Sequence, residues 1–148
     1  MSIVYRTGNI FDTKCECIGH GVNCCGAMAA GIAGQIASLF PFAKQCYLRK
    51  NIKDGWVLGE IQPVDCGEKI IINMATQYYP GPDAKYDAIR ETLEKTFDFC
   101  QNKGYSTIAL PWIGCGIGGL ETKKVKVIIE ETIKKYPNVI LEVWTYKK

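Results

Sequence analysis

The stretch Gly19-His20-Gly21-Val22-Asn23-Cys24-Cys25-Gly26-Ala27-Met28-Ala29-Ala30-Gly31-Ile32-Ala33-Gly34 decides how this chain folds. It follows a short run, Cys15-Glu16-Cys17-Ile18-Gly19, that reads as a strand, and it leads into residues 30–39, which read as a helix stopping before Pro41. A glycine-rich link between a strand and a helix lets backbone N–H groups approach an anion at the start of the helix. The same link holds the chain's only histidine, His20, the side chain type that titrates nearest neutrality.

Outward from this link the pattern is an alternation of strands and helices. Ser2-Ile3-Val4-Tyr5-Arg6 reads as an opening strand, with a turn over 9–14. Residues 42–56 carry no clear periodicity. Gly59-Glu60-Ile61-Gln62-Pro63-Val64 and Lys69-Ile70-Ile71-Ile72-Asn73-Met74 read as neighbouring strands joined by a turn at Cys66-Gly67-Glu68, the second apolar enough for the middle of a sheet. Tyr86, Ile89, Leu93, Phe97 and Cys100 recur at helical spacing, and Gly104 ends that helix. Ser106-Thr107-Ile108-Ala109-Leu110 reads as a strand, residues 121–136 as a helix whose apolar face is Val125, Ile128, Ile129 and Ile133, and residues 139–144 as a closing strand. This alternation predicts a single α/β domain over residues 1–148, a three-layer α/β/α sandwich around a mixed, largely parallel sheet.

Composition narrows the function. A chain of 148 residues that is 47% hydrophobic can bury one core. Its net charge of +3 mildly favours anionic ligands, but Lys123-Lys124-Val125-Lys126, the densest basic stretch, fits a solvated helix face, and direct nucleic-acid binding is not expected. No apolar run is long enough to span a bilayer, so no membrane partner is expected. Eight cysteines without a signal peptide point to a reducing, cytoplasmic setting. Cys15, Cys17, Cys24 and Cys25 lack the two separated ligand pairs of a structural zinc site; they read as small apolar filling, and neither a metal nor a cofactor is expected.

A second glycine loop, Leu110-Pro111-Trp112-Ile113-Gly114-Cys115-Gly116-Ile117-Gly118-Gly119-Leu120, follows the strand at 106–110. Ligands of open α/β sheets bind beyond the carboxyl ends of the strands, so two strands that each run into a glycine loop and then a helix should share one cleft. Neither loop has the lysine and hydroxyl residue of a Walker motif or the pattern of a Rossmann fingerprint, which disfavours a nucleoside triphosphatase.

On these residues the chain resembles the macrodomains, α/β/α modules that bind ADP-ribose. The resemblance covers nearly the whole chain: Thr7-Gly8-Asn9-Ile10-Phe11, Ile18-Gly19-His20-Gly21-Val22-Asn23, Ala29-Ala30-Gly31-Ile32-Ala33 and Leu110-Pro111-Trp112-Ile113-Gly114-Cys115-Gly116. It is strongest to the branch with the terminal-ADP-ribose protein glycohydrolases and the yeast-type ADP-ribose 1''-phosphate phosphatases. It implies adenine against Asn9 and Ile10 and a distal ribose beside Asn23. The diphosphate then lies between Gly31, Ile32 and Ala33 on one side and Ile113, Gly114, Cys115, Gly116, Ile117 and Gly118 on the other. The family usually has aspartate at Asn9, where the asparagine carbonyl can still accept from the adenine amino group.

The resemblance also bears on chemistry. The glycohydrolase type uses a lysine after the central strand and an acid in the second loop, but Asn73-Met74-Ala75-Thr76-Gln77-Tyr78-Tyr79 has no lysine and the acidic position is Gly118. Lys85, the nearest amine, reads as a surface residue. His20 stands where the phosphatase group has a histidine, so the expected activity is hydrolysis of ADP-ribose 1''-phosphate, with His20 donating a proton or orienting water and Asn23 fixing the ribose hydroxyls. The alternatives are a non-catalytic module for free or protein-linked ADP-ribose and, further off, a protein de-ADP-ribosylase. Cys24, Cys25 and Cys115 read as packing rather than nucleophiles, Asp12 and Asp83 as turn caps, and Tyr78, Tyr79 and Trp112 as packing or as flanks of a ribose or base.

Overall fold

The computed structural model describes residues 2–147. Six strands form one sheet: β1 (Ile3–Gly8), β2 (Cys17–Asn23), β3 (Ile61–Asp65), β4 (Ile70–Gln77), β5 (Thr107–Pro111) and β6 (Ile140–Tyr146). Their spatial order is β1-β6-β5-β2-β4-β3, and every neighbouring pair is parallel except β3 with β4. Helices α1 (Gly31–Leu39) and α2 (Pro41–Lys53) cover one face, while α3 (Tyr86–Lys103) and α4 (Thr122–Ile133) cover the other. The expected three-layer sandwich is therefore present.

Each face has its own core because alternate strand residues point to opposite sides of the sheet. On β4, Ile70, Ile72 and Met74 pack with Ile89, Leu93 and Phe97 of α3 and with Val125 and Ile129 of α4. Ile71 and Ala75 instead face Ile36 of α1 and Tyr47 of α2.

Two differences from the sequence reading matter for the site. Residues 19–23 are not a loop; they continue β2, so the glycine link begins only after Asn23. Gly19 and Gly21 are there because the sheet leaves no room for a side chain. A Cβ on Gly19 would lie 2.6 Å from Leu110 Cδ2, and one on Gly21 would lie 2.7 Å from Thr76 Oγ1. The second difference is α2, which occupies residues read as unpatterned. Only Ala43 and Tyr47 of this helix are buried, too few to mark an apolar stripe, although Pro41 at its start suits the first helical turn.

The sheet also has a topological break. From β2 the chain moves outward to β3 and β4, whereas β5 and β6 fill the space between β2 and β1. β2 and β5 pair only at Cys17–Ile108 and Ile18–Ala109, and beyond these residues they part. Such a switch point is where a crevice opens at the carboxyl edge of a parallel sheet.

Candidate functional site: a cleft between two glycine loops

A cleft of about 730 Å³ lies at that switch point and takes in both glycine loops. Its size falls within the usual range of roughly 300–1,000 Å³ for small-molecule sites. Gly31, Ile32 and Ala33 line one wall, while Ile113, Gly114, Cys115, Gly116, Ile117 and Gly118 line the other. Gly31 has φ +58°, and a Cβ there would stand 3.2 Å from Ile117 Cδ1, so the two walls come almost into contact. Gly116, at φ +65°, likewise holds a conformation that side chains disfavour.

The walls are lined by backbone donors. The first intrahelical bond of α1 runs from Gly34 N to Ala30 O, and the N-cap, Ala30, has no side chain to cap with. The N–H groups of Gly31, Ile32 and Ala33 are therefore left without helical acceptors. Opposite them, a 3-10 turn over Gly116–Gly118 leaves the N–H groups of Gly116 and Ile117 in the same state. Apart from His20, none of the described residues that line the cleft has an acidic or basic side chain.

The two ends of the cleft differ. Trp112, Trp144 and Tyr146 make one end aromatic. Trp144 Nε1 donates to Glu142 Oε1 at 3.0 Å, which sets the ring's orientation. Burial alone would raise the Glu142 carboxyl, but hydrogen bonds from Thr13, Arg6 and Trp144 hold it at about 2. Trp112 stacks on Tyr5, with ring centroids 6.0 Å apart and planes 11° apart. Asn23, Ala27, Thr76, Gln77, Pro80 and Gly81 form the other, polar end.

Asn23 stands just past a register shift in the pairing of β2 with β4. Its side-chain oxygen accepts from Cys25 N at 3.0 Å and Ala27 N at 3.3 Å, and the Tyr47 hydroxyl lies 2.9 Å away. Its Nδ2 donates to Ala27 O at 2.8 Å. The amide thus shapes the link from β2 to α1 and keeps one N–H uncommitted for a ligand.

His20 does not have the loop position expected of it. It sits within β2, 1% exposed, at the floor of the cleft. Its Nε2 lies 2.6 Å from Asn73 Oδ1 on the adjacent strand. Asn73 Nδ2 donates to Ala43 O and Gln62 Oε1, and Gln62 Nε2 donates to Cys46 O, so the ring is tied into a chain of bonds reaching α2. Burial drives the imidazole down to about 4, and the Asn73 bond only partly offsets this. His20 is neutral near pH 7 and is not placed as the proton donor that the sequence suggested.

The position of Asn9 also differs from expectation. Its carbonyl oxygen accepts from Phe11 N at 2.9 Å, capping the 3-10 turn Ile10–Asp12, which uses one of its two lone pairs and leaves the other for a base amino group. Asn9 borders a shallow depression beside the cleft, whereas Ile10 lines the cleft itself.

The remaining candidates settle into structural positions. Lys85 pairs with Asp83 at 3.2 Å and stays outside the cleft. Burial pushes up the Cys115 and Cys24 thiols. Gly8, Gln77 and Trp144, from three separate strands, also line the cleft; Gly8 and Gln77 lie in stretches the sequence reading quoted but gave no place in the site, and Trp144 it named only in a closing strand. Among the described residues, no group of three or more His, Cys, Asp or Glu side chains is placed to hold a metal.

A family model described as Macro domain matches residues 20–129. A DNA ADP-ribosyl glycohydrolase of Thermus aquaticus is 29% identical over 144 residues, covering 95% of this chain and 39% of its own length. This chain therefore spans about two fifths of that relative. The 17.5 kDa protein of the tk-vs intergenic region of Enterobacteria phage T4 is 30% identical over 150 residues, covering 96% of this chain and 97% of its own. Among solved structures, the macrodomain of Mycobacterium tuberculosis DarG superposes with a TM-score of 0.90 at 25% identity, covering 98% of each chain.

Proposed function

Because this chain belongs to the Macro domain family, we propose that its cleft binds ADP-ribose, free or joined through its distal ribose to a macromolecule, and holds it without covalent participation of the protein. The observation that carries this reading is the pairing of uncommitted backbone N–H groups at Gly31–Ala33 and Gly116–Ile117 with walls that bear no charged side chain. A diphosphate suits such a cradle: its charge is met by oriented N–H dipoles and the start of α1. In this reading the adenine occupies the aromatic end against Trp144 and Tyr146, and the distal ribose meets the spare Asn23 N–H at the polar end.

Hydrolysis is the second reading, favoured by the name of the Thermus aquaticus relative and by the place of His20 at the floor of the cleft. Turnover of ADP-ribose 1''-phosphate needs a proton for the departing sugar oxygen or a water made more nucleophilic. At the polar end Asn23, Thr76 and Gln77 offer hydrogen bonds but exchange no proton near neutrality. Such turnover would rest on orientation of substrate and water, with a correspondingly small acceleration. The same limits apply to removal of ADP-ribose from a modified protein.

Calorimetric titration with ADP-ribose, followed on the same sample by phosphate release from ADP-ribose 1''-phosphate, tests both readings. The expected result is saturable binding with phosphate release at background. Release that collapses in His20→Ala while ADP-ribose affinity persists would establish the phosphatase instead. Failure to bind ADP-ribose would defeat both readings.

A further inference from the structure

Gln77 ends β4 at the polar end of the cleft, and its side chain is held in one orientation. Nε2 donates to Tyr79 O at 2.6 Å and to Gly81 O at 3.0 Å, which uses both of its protons. Two carbonyls can be met only by the NH2 group, so the amide cannot be turned over. Its Oε1 comes within 3.4 Å of where a Cβ on Gly118 would stand, and none of the described residues donates a hydrogen bond to it. The backbone is held as firmly. Cys24 N donates to Gln77 O at 3.1 Å, Gln77 bridges to Ala84, and Ala84 N donates to Gly118 O at 3.2 Å. A side chain at 118 has little room to answer the amide oxygen, because its Cβ would lie 3.0 Å from Ala84 Cβ.

The polar end therefore offers a ligand one fixed acceptor, Gln77 Oε1, and one spare donor, the Asn23 N–H. A hydroxyl both donates and accepts, so it satisfies such a pair, whereas the charged oxygens of a phosphate monoester mainly accept. We propose that Gln77 is a specificity-determining residue of the cleft, its amide oxygen accepting from the anomeric hydroxyl of the distal ribose, so that ADP-ribose with that hydroxyl free is preferred over forms in which it is capped. This deepens the ADP-ribose reading above and rests on it. With a phosphate in place of the hydroxyl, the Gln77 oxygen faces another lone pair, and the bonds to Tyr79 and Gly81 keep the amide from presenting its NH2 group instead. Lys85 gives no relief, since it is paired with Asp83 outside the cleft.

The test titrates four probes: ADP-ribose, its 1''-O-methyl glycoside, its 1''-phosphate, and ADP, which has no distal ring. The methyl glycoside should bind about 2- to 10-fold more weakly than ADP-ribose, and the 1''-phosphate more weakly still. Gln77→Met should bring ADP-ribose down to the level of the methyl glycoside while ADP affinity stays within about twofold of wild type. Gln77→Glu keeps an acceptor but cannot donate to Tyr79 O or Gly81 O, so it should restore the preference for ADP-ribose over the methyl glycoside and weaken the 1''-phosphate further. A role confined to fastening the loop would make the two variants alike. Equal affinity of the wild type for ADP-ribose and its methyl glycoside, tighter binding of the 1''-phosphate, or a Gln77→Glu no better than Gln77→Met overturns the assignment and leaves the ADP-ribose cleft intact. A Gln77→Met that weakens ADP and ADP-ribose equally also overturns it. No binding of ADP-ribose to the wild type overturns the cleft reading itself.

Discussion

His20 Nε2 lies 2.6 Å from Asn73 Oδ1, across the central pair of parallel strands. Because Asn73 spends its Nδ2 protons on Ala43 O and Gln62 Oε1, its oxygen must face the ring, and Nε2 must carry the imidazole proton. Nδ1 is then an acceptor, buried and without a hydrogen-bond partner among the described residues. Nitrogen-15 spectra of the single histidine should show the Nε2–H tautomer near neutrality and no protonation until about pH 4. Titration near 6.5 would contradict this placement.

The same burial makes stability depend on pH. The unfolded chain takes up a proton on His20 near the usual 6.5, while the folded protein resists until about 4. The folded value is depressed, so the stabilisation is complete above pH 6.5, declines as pH falls, and is gone once pH drops past about 4. Its size is about 3 kcal/mol. Urea midpoints should fall from about pH 7 to about pH 4.5 in the wild type and fall less in His20→Gln, which has no proton to gain in that range. Glu142 adds a loss of its own only at lower pH, between its usual 4.5 and about 2.

Gly31 tests the backbone cradle. Its φ of +58° is costly for any residue with a Cβ, and that Cβ would press on Ile117 Cδ1 from across the cleft. Gly31→Ala should cost about 1–2 kcal/mol of stability. It should weaken ADP-ribose by more than about tenfold, because a shift of α1's first turn disturbs several donors together. Calorimetry alongside thermal melts separates the two effects.

The layers of the fold were legible because α3 and α4 carry clear apolar stripes, and the cleft because two glycine loops each follow a strand. Three features were not legible, each for a physical reason. Gly19 and Gly21 suggested a loop, yet they are strand residues made small by Leu110, Met74 and Thr76 from neighbouring strands, which no local window reveals. α2 buries only Ala43 and Tyr47, so its periodicity is faint. His20 looked reactive because its surroundings in sequence are small and flexible. Its surroundings in space are Asn73, Gln62 and a covering helix, brought together only by the sheet.

Asn9 offers a test at the other end of the cleft. With one lone pair of its oxygen held by Phe11 N, the amide presents a single remaining acceptor site beside its N–H groups. A carboxylate at this position keeps the cap with one oxygen and offers the other as an acceptor for a base amino group. Asn9→Asp should therefore raise affinity for ADP-ribose several-fold, on the scale of about 1 kcal/mol for one hydrogen bond. It should do so without improving binding of the hypoxanthine analogue, whose ring bears an oxygen in place of the amino group. Equal gains for both analogues would mean that the base does not reach residue 9.

The absence of charged side chains among the residues lining the cleft has a signature in salt. An anion held by neutral N–H dipoles loses less on screening than one held by lysine or arginine, whose long-range attraction decays with the Debye length. ADP-ribose affinity should fall less than about threefold from low to high salt. Gln77→Lys places a cation on the polar wall, facing Gly118, where a Cβ would already be 3.4 Å from Gln77 Oε1. That variant should bind more tightly at low salt and lose the gain as salt rises. A steep salt dependence in the wild type would mean that charged groups outside the cleft reach the diphosphate, and the backbone cradle would then not be its main support.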